Sequence, residues 1–207
     1  MRVGALEIIQ IPAGEMANFS YLLFCPETRQ GIAVDPSLEP QHLLDVINQH
    51  QVKLTWLVNT HGHRDHIFGN ALILKATGAK LAAHPLAGIH VDKALVDGDV
   101  LMIGANPVKI LHTPGHTPAD IALNPPGALI TGDTLFVTKV GRADMPGSDP
   151  AVMYASLLRL AAFPGETLVF PGHDYGPRPY STIEFERQHN PYLRCPDLES
   201  FLTLRMG

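Results

Sequence analysis

Short apolar runs rich in β-branched residues recur along the chain, and each of them ends near Gly, Pro, Asp or Asn. Runs of this length with turn residues at their ends predict β-strands. We expect strands in eight segments: LEIIQI (6–11), SYLLFC (20–25), GIAVD (31–35), LTWLVN (54–59), KLAAH (80–84), PVKILH (107–112), GALITGD (127–133) and TLVFPGH (167–173).

Between the predicted strands, four stretches show the apolar spacing or the end signals that are typical of helices. In the third stretch, Asp149 is placed to cap a helix that begins at Pro150. Its spacing predicts that Val152, Leu157 and Leu160 face inward. The four predicted helices are 39–51, 69–78, 149–163 and 181–191.

Residues with end signals support two of these predicted helices. Gly78 stands where a helix over 69–78 would need a left-handed C-cap. Ser181 and Glu184 have the spacing of a capping box at the start of the last helix. The whole pattern predicts an α+β fold, in which two sheets pack together and helices cover their outer faces.

The composition fits one folded domain spanning residues 1–207, because 45% of the residues are hydrophobic and only 17% are charged. The net charge of −5 and the lack of a Lys/Arg-rich run argue against nucleic-acid or anionic-membrane binding. Two distant cysteines fit neither a disulfide framework nor a zinc ribbon. The sequence shows no signal peptide and no membrane span, so we expect a cytoplasmic protein.

Polar residues follow several predicted strands directly. Asp35, His61, His112, Asp133 and His173 all stand within a few residues of a strand's carboxyl end. If these ends point to one edge of the two sheets, the side chains converge there. Such side chains need partners wherever they are buried.

The segment THGHRDH holds four coordinating side chains within six positions: His61, His63, Asp65 and His66. Residues two apart in an extended segment project to the same side, so His61 and His63 can bind one ion together. Imidazole and carboxylate ligands without nearby cysteine suit Zn, Fe, Mn or Co. The alternative is a helix start with Asp65 as its cap and histidines on the surface.

Three further motifs at strand ends favour the metal site: TPGHT supplies His116, TGDTLF supplies Asp133, and PGHD supplies His173. Together with the first four residues, they make seven ligands, which exceed what one tetrahedral ion needs. They suit two ions with Asp133 as a bridge. The first ion would have His61, His63 and His116, and the second would have Asp65, His66 and His173.

These four motifs, in this order, resemble the signature of the metallo-β-lactamase superfamily. The resemblance covers the chain from about Asn18 to Leu193. It implies a four-layer αββα sandwich, in which two mixed β-sheets are flanked by helices and the metal site lies at one edge. It also implies that Asp35, in IAVDP, supports the site without being a ligand.

The segments VGRADMPG and GHDYGPRPYSTIEFERQHNPYL are similar to those of glyoxalase II-like hydrolases and of persulfide dioxygenases. Both families act on glutathione-linked sulfur compounds. By this resemblance Arg142 and Tyr175 line the substrate cleft, where the guanidinium would pair with a glutathione carboxylate and the phenol would supply a hydrogen bond. The expected partner is a small-molecule glutathione conjugate, and the oligomeric state stays open.

Of the two activities, we favour the hydrolase, in which a metal-bound hydroxide oriented by Asp65 would attack a thioester. Its cofactor would be two transition-metal ions, zinc first, with iron or manganese as alternatives. The second hypothesis is a dioxygenase that oxidises glutathione persulfide to sulfite with a single Fe(II) held by His61, His116 and Asp133. A non-catalytic metal-binding module is the third.

Overall fold

The computed structural model describes residues 1–206, which form fifteen strands, six α-helices and one short 3₁₀ helix at Pro85–Ala87. The strands are β1 Arg2–Val3, β2 Leu6–Pro12, β3 Phe19–Phe24, β4 Gln30–Val34, β5 Lys53–Val58, β6 Lys80–Ala83, β7 Lys93–Ala94, β8 Val100–Ile103, β9 Asn106–His112, β10 Ile121–Asn124, β11 Ala128–Gly132, β12 Leu135–Phe136, β13 Lys139–Val140, β14 Leu168–Pro171 and β15 Ser181–Thr182. The helices are α1 Pro40–Gln49, α2 Arg64–Ile67, α3 Asn70–Thr77, α4 Pro150–Ala161, α5 Ile183–His189 and α6 Leu198–Met206.

The strands form two mixed sheets and a small ribbon. The first sheet has the order β1-β2-β3-β4-β5-β6-β7, antiparallel up to β4 and parallel from β4 to β7. The second has the order β15-β14-β11-β10-β9-β8, in which β11 and β14 are the parallel pair. Strands β12 and β13 pair only with each other. The predicted α+β class with two mixed sheets is therefore confirmed.

Three separate apolar clusters hold the layers together, because alternate residues of a strand point to opposite faces. Leu23 of β3 lies in the cluster between the sheets, whereas its neighbour Leu22 faces α1 and α3 on the outside. In the second sheet Ile130 faces inward and Leu129 faces α4, α5 and α6. The order of layers is thus helices, sheet, sheet, helices, as the sequence resemblance implied.

All eight predicted strands form, with bounds that differ by at most two residues. Helix α6 and seven strands were not predicted: β1, β7, β8, β10, β12, β13 and β15. Five of these strands have only two residues, which is too short for a periodic pattern. Helix α6 has only one buried residue, Phe201, and therefore no apolar face that could be recognised in the sequence.

Most details of the predicted helices are correct, and two are wrong. The Asp149 carboxylate caps α4 by accepting from the backbone N–H groups of Ala151 and Val152. Gly78 ends α3 in the left-handed conformation, with φ of 69°. Val152, however, does not face inward; it is 39% exposed, because Met153 occupies the buried position on that turn, beside the correctly predicted Leu157 and Leu160.

The predicted capping box at Ser181 and Glu184 does not form. The N-cap of α5 is Thr182, whose hydroxyl accepts from the Phe185 N–H at 3.2 Å. Ser181 belongs to β15 and donates its hydroxyl hydrogen to Glu186 at 2.6 Å. Helix α5 therefore begins two residues later than predicted, after the short strand β15, which the sequence pattern did not indicate.

The parallel strand pairs determine where the polar residues gather. Strands β4 and β5 run parallel, so Asp35 and His61 follow them at the same edge of the first sheet. Strands β11 and β14 run parallel in the second sheet, so Asp133 and His173 share its corresponding edge. No helix among residues 1–206 is long and apolar enough to cross a membrane.

We expect Phe201→Ala to destabilise the fold, because Phe201 is fully buried and joins α6 to α4. The cavity should lower the free energy of unfolding by about 3–5 kcal/mol, measured by urea denaturation. The matched control is Leu204→Ala on the same helix, where the side chain is 46% exposed and the change should stay within about 0.5 kcal/mol. Equal effects of the two variants would contradict the packing of α6 described above.

Candidate metal centre

The THGHRDH segment continues from β5 into the one-turn helix α2. Its histidines are not surface residues, since His61 and His66 have no exposed area. Asp65 lies in the first turn of α2 but does not cap it; its carboxylate accepts from the Asn18 side chain. The alternative interpretation of this segment, a capped helix start with surface histidines, is therefore wrong.

One group of three nitrogen atoms is formed by His61, His63 and His116. His63 Nδ1 lies 3.0 Å from His61 Nε2 and 3.0 Å from His116 Nε2. The three ligand atoms all lie within 4.8 Å of one another. His116 reaches this point from the loop after β9, so the group joins residues of both sheets.

A second group is formed by Asp65, His66 and His173. His66 Nε2 lies 3.1 Å from His173 Nε2, and Asp65 Oδ2 lies 3.5 Å from each of these nitrogens. These three ligand atoms also lie within 4.8 Å of one another. Here His173 comes from the second sheet, and the other two residues follow the first sheet.

Asp133 lies between the two groups. Its Oδ2 is 3.3 Å from His173 Nε2 and 3.6 Å from His116 Nε2, and its Oδ1 is 3.3 Å from His66 Nε2. One carboxylate thus reaches histidines of both groups. The structure brings all seven of the predicted ligands together, in the two groups that the sequence indicated.

Backbone carbonyls fix the orientation of two of the histidines. His116 Nδ1 lies 2.8 Å from the Arg142 carbonyl oxygen, and His173 Nδ1 lies 2.9 Å from that of Met16. A carbonyl only accepts, so the hydrogen of each neutral ring must be on Nδ1. The Nε2 atom of each ring then presents a lone pair to the centre.

The Asp35 carboxylate fixes the orientation of two further ligand histidines, His66 and His61. Asp35 Oδ2 accepts from His66 Nδ1 at 3.0 Å and from the Thr60 hydroxyl at 2.6 Å. Because Thr60 Oγ1 donates its hydrogen to Asp35, it accepts from His61 Nδ1 at 3.1 Å. Asp35 therefore supports the site without reaching the centre, as the resemblance implied.

These contacts direct several lone pairs at the same small volume, which suits a transition-metal ion. His66 Nε2 and His173 Nε2 are only 3.1 Å apart, and neither has a hydrogen to donate when its neutral ring bonds through Nδ1. The buried Asp133 Oδ1 accepts no hydrogen bond. A cation between these atoms would turn repulsion into attraction, so the residues fit a metal.

Burial and neighbouring charges shift the pKa values of His61, Asp133 and His66 from their usual ranges. Burial, together with the neighbouring His66, lowers the pKa of His61 well below its usual range, which keeps the ring in its ligating neutral form. Burial alone would raise the pKa of Asp133, but His66 and His173 hold it well below its usual range. Burial opposes the charged form of His66 as well, yet Asp133 and Asp35 raise its pKa. The carboxylates thus favour positive charge at this point.

The loop between β2 and β3 supplies contacts that were not predicted from the sequence. The Asn18 side chain donates from Nδ2 to Asp65 Oδ2 at 2.9 Å, and its Oδ1 is buried without a hydrogen-bond partner. The same loop supplies the Met16 carbonyl to His173. Asn18 is separated from Asp65 by 47 residues, so no local spacing could have indicated it.

His112 does not join the centre, although it stands at a strand end. Its ring stacks on His84, with centroids 4.2 Å apart and planes 6° apart. Its Nε2 donates to the Pro118 carbonyl oxygen at 3.0 Å. The expected convergence at the sheet edge therefore holds for Asp35, His61, Asp133 and His173 only among the five strand-end residues.

A pocket of about 490 Å³ opens over the two groups of ligands. Tyr175 lies in its wall and stacks on His173, with ring centroids 4.6 Å apart. Burial, with Asp133 and Asp65 nearby, raises the pKa of the Tyr175 phenol, so it keeps its hydrogen near neutral pH. The pocket is lined by Met16, His63, Arg64, Asp65, His116, Asp133, Phe136, Lys139, Val140, Arg142, Met145, His173 and Tyr175.

Arg142 also lines the pocket, as expected, but its guanidinium is already paired. Its Nε donates to Asp144 Oδ1 at 2.9 Å and its Nη2 to Asp144 Oδ2 at 2.8 Å. This pairing was not predicted, because neighbouring opposite charges in a loop are commonly separate in water.

Comparison with known proteins agrees with the resemblance that the sequence motifs showed. Residues 13–173 match the family model described as the metallo-beta-lactamase superfamily. The chain is 42% identical over 166 residues to a hydroxyacylglutathione hydrolase of Polaromonas sp., which covers 76% of this chain and 62% of the hydrolase. The chain thus spans about three fifths of the length of that relative.

Similarity to persulfide dioxygenases is also clear. The human mitochondrial persulfide dioxygenase ETHE1 is 34% identical over 182 residues, or 85% of this chain and 71% of that protein. The crystal structure of ETHE1 from Myxococcus xanthus superposes with a TM-score of 0.91 at 31% identity, covering 97% of this chain and 90% of the other.

Gly172→Ala should disturb the centre directly, because a Cβ at this position would collide with Asp133 Oδ1 and the backbone of Gly132. We expect a lower melting temperature and a lower affinity for transition metals, measured by thermal denaturation and by competition with a chelator. Gly165→Ala is the control, since its Cβ would meet only the Glu184 side chain, at 3.2 Å or more. If Gly172→Ala binds metal as tightly as that control, Asp133 is not held as described.

Proposed function

Because the chain belongs to the metallo-beta-lactamase superfamily, we propose that it is a metal-dependent hydrolase of the glyoxalase II-like type. It would cleave a thioester of glutathione or of a related thiol, and residues 1–207 would form one catalytic domain. The observation that carries the proposal is the position of Asp133, whose carboxylate reaches histidines of both ligand groups. A carboxylate in this position could serve two ions at once, which suits a two-metal site.

We assign the seven side chains to two transition-metal ions. His61, His63 and His116 would hold one ion, Asp65, His66 and His173 the other, and Asp133 would bridge them. The set of nitrogen and oxygen donors without cysteine suits zinc first and also accepts iron or manganese. A bound pair of this kind lowers the pKa of water and polarises a carbonyl group.

The protein's own residues would orient the reaction. Asp65, held by Asn18 through its Oδ2, would orient the attacking hydroxide. Tyr175, whose raised pKa keeps its hydrogen in place, would donate a hydrogen bond to the thiol carrier of the substrate. Met16, Phe136 and Met145 give the pocket apolar walls for the rest of the substrate.

The proposed substrate class rests on the relatives. The Polaromonas relative is named for the hydrolysis of hydroxyacylglutathione, and it shares 42% of its residues with the matched part of this chain. We therefore propose a glutathione conjugate as the small-molecule partner and a cytoplasmic location, where reduced glutathione is abundant.

A persulfide dioxygenase is the second candidate, because the superposition favours it. The crystal structure of ETHE1 from Myxococcus xanthus superposes on the chain with a TM-score of 0.91 at 31% identity. In this case a single ferrous ion would be held by His61, His116 and Asp133, with positions left open for small ligands. All three residues are present, so the donors serve either activity.

The first test concerns the metal itself. Protein purified without chelators should contain one or two transition-metal ions, and Asp133→Ala should lose the most metal, because this residue would serve both ions. Metal content is measured by elemental analysis. Asp45→Ala, at an exposed position on α1, is the control and should keep its metal. Wild-type protein free of metal would contradict the proposal.

The second test separates the two activities by metal loading. Zinc-loaded protein should hydrolyse S-lactoylglutathione under anaerobic conditions, because hydrolysis needs no change of oxidation state. Iron-loaded protein should consume little oxygen with glutathione persulfide. Rapid oxygen uptake by the ferrous protein, with the zinc form inactive toward thioesters, would reverse the order of the two candidates.

A further inference from the structure

Three cationic side chains line the pocket: Arg64, Lys139 and Arg142. The only carboxylates in the same lining among the described residues are Asp65 and Asp133, and both belong to the ligand groups. An anionic part of a substrate would therefore be bound by one of the three cations. Their surroundings differ enough to distinguish between them.

Arg142 is the least available of the three. Two of its nitrogens bond to the Asp144 carboxylate, at 2.9 and 2.8 Å, and Arg205 of α6 lies 3.8 Å from the same carboxylate. The Arg142 guanidinium holds the pKa of Asp144 down to about 2, so this partner stays charged. A substrate anion would have to compete with Asp144 for the guanidinium.

Arg64 pairs with no carboxylate of residues 1–206, but its side chain is directed to another group. Its guanidinium carbon lies 5.8 Å from the centre of the Phe68 ring. Phe68 is 53% exposed and does not line the pocket. Arg64 therefore contributes positive charge at the rim and has a partner outside it.

Lys139 is both unpaired and well positioned. No carboxylate of the described residues lies within 4.0 Å of its ammonium group, which is exposed. Its backbone is held by a hydrogen bond, which Asn190 Nδ2 donates to the Lys139 carbonyl oxygen at 3.1 Å. Thr138, the preceding residue, donates its N–H to Glu186 Oε2 at 2.8 Å.

The side chains that hold the backbone around Lys139 are fully buried. Glu186 and Asn190 have no exposed area, and Asn190 Nδ2 also donates to Glu186 Oε2 at 2.9 Å. Ser181 donates to the other carboxylate oxygen at 2.6 Å. The turn between β12 and β13 is thus fixed beside the pocket, while the Lys139 side chain is exposed.

From this arrangement we infer that Lys139, rather than Arg142, binds the carboxylate of the substrate's thiol carrier and selects anionic carriers over neutral ones. This inference rests on the proposed function for the identity of the carrier. A lysine suits the role because its ammonium is a compact charge with three donors on a flexible stem. Arg142 is already paired with Asp144, and Arg205 lies beside the same carboxylate.

The test is the binding of S-hexylglutathione, a thioether that is not hydrolysed, to the zinc-loaded protein, measured by calorimetry. Lys139→Gln should raise the Kd about fivefold, as the loss of one partly exposed charge pair does. Lys139→Glu should raise it further. Asp144→Asn should lower the Kd, because it frees Arg142. Lys75→Gln, on the exposed side of α3 outside this pocket, is the matched control and should leave the Kd unchanged.

The diethyl ester of the same thioether tests the charge directly. Its carboxylates are blocked, so its binding should not depend on Lys139, and the difference between wild type and Lys139→Gln should also shrink at high salt. If Arg142→Gln weakens the binding of S-hexylglutathione and Lys139→Gln does not, the inference is overturned.

Failure of the proposed function gives a different result. If S-hexylglutathione binds in a Lys139-dependent manner but the zinc protein does not hydrolyse S-lactoylglutathione, the hydrolase proposal fails and the role of Lys139 is supported. If S-lactoylglutathione is hydrolysed and the Lys139 variants bind normally, only the role of Lys139 fails. If wild-type protein binds no S-hexylglutathione, the role of Lys139 is overturned.

Discussion

The carboxylate of Asp35 is the contact on which the arrangement of the centre depends most. It is almost fully buried, yet it accepts hydrogen bonds from the Thr60 backbone, the Thr60 hydroxyl and the His66 ring. Through Thr60 it also sets the orientation of His61. A buried carboxylate is costly without such partners. Here the same contacts that satisfy it leave two imidazole nitrogens available for a cation.

Each remaining part of the site is held by a group that cannot easily move. The His116 and His173 rings bond to backbone carbonyls, and these carbonyls belong to two different loops. Gly172 leaves the space that the Asp133 carboxylate occupies. Loss of such support from the surroundings of a metal site typically lowers its metal affinity about 10–100-fold.

Much of the architecture was evident from the sequence, because buried strands and metal motifs have strong local patterns. The eight strands were predicted from short apolar runs, and the seven donor side chains were found because they follow those runs directly. Asn18 and the Met16 carbonyl were missed, since their partners lie far away in sequence. The pairing of Arg142 with Asp144 depends on how one loop folds, which no spacing rule describes.

The origin of the ligands has a mechanical consequence for the whole sandwich. Each ligand group takes two residues that follow the first sheet and one that follows the second, and Asp133 adds another from the second. An ion bound there would act as a cross-link between the two sheets at one end of the molecule. At a free concentration one hundred times the Kd, such binding adds about 2.7 kcal/mol to the stability of the folded state. The free metal concentration would then determine how strongly the two sheets are held together at the edge where the pocket opens.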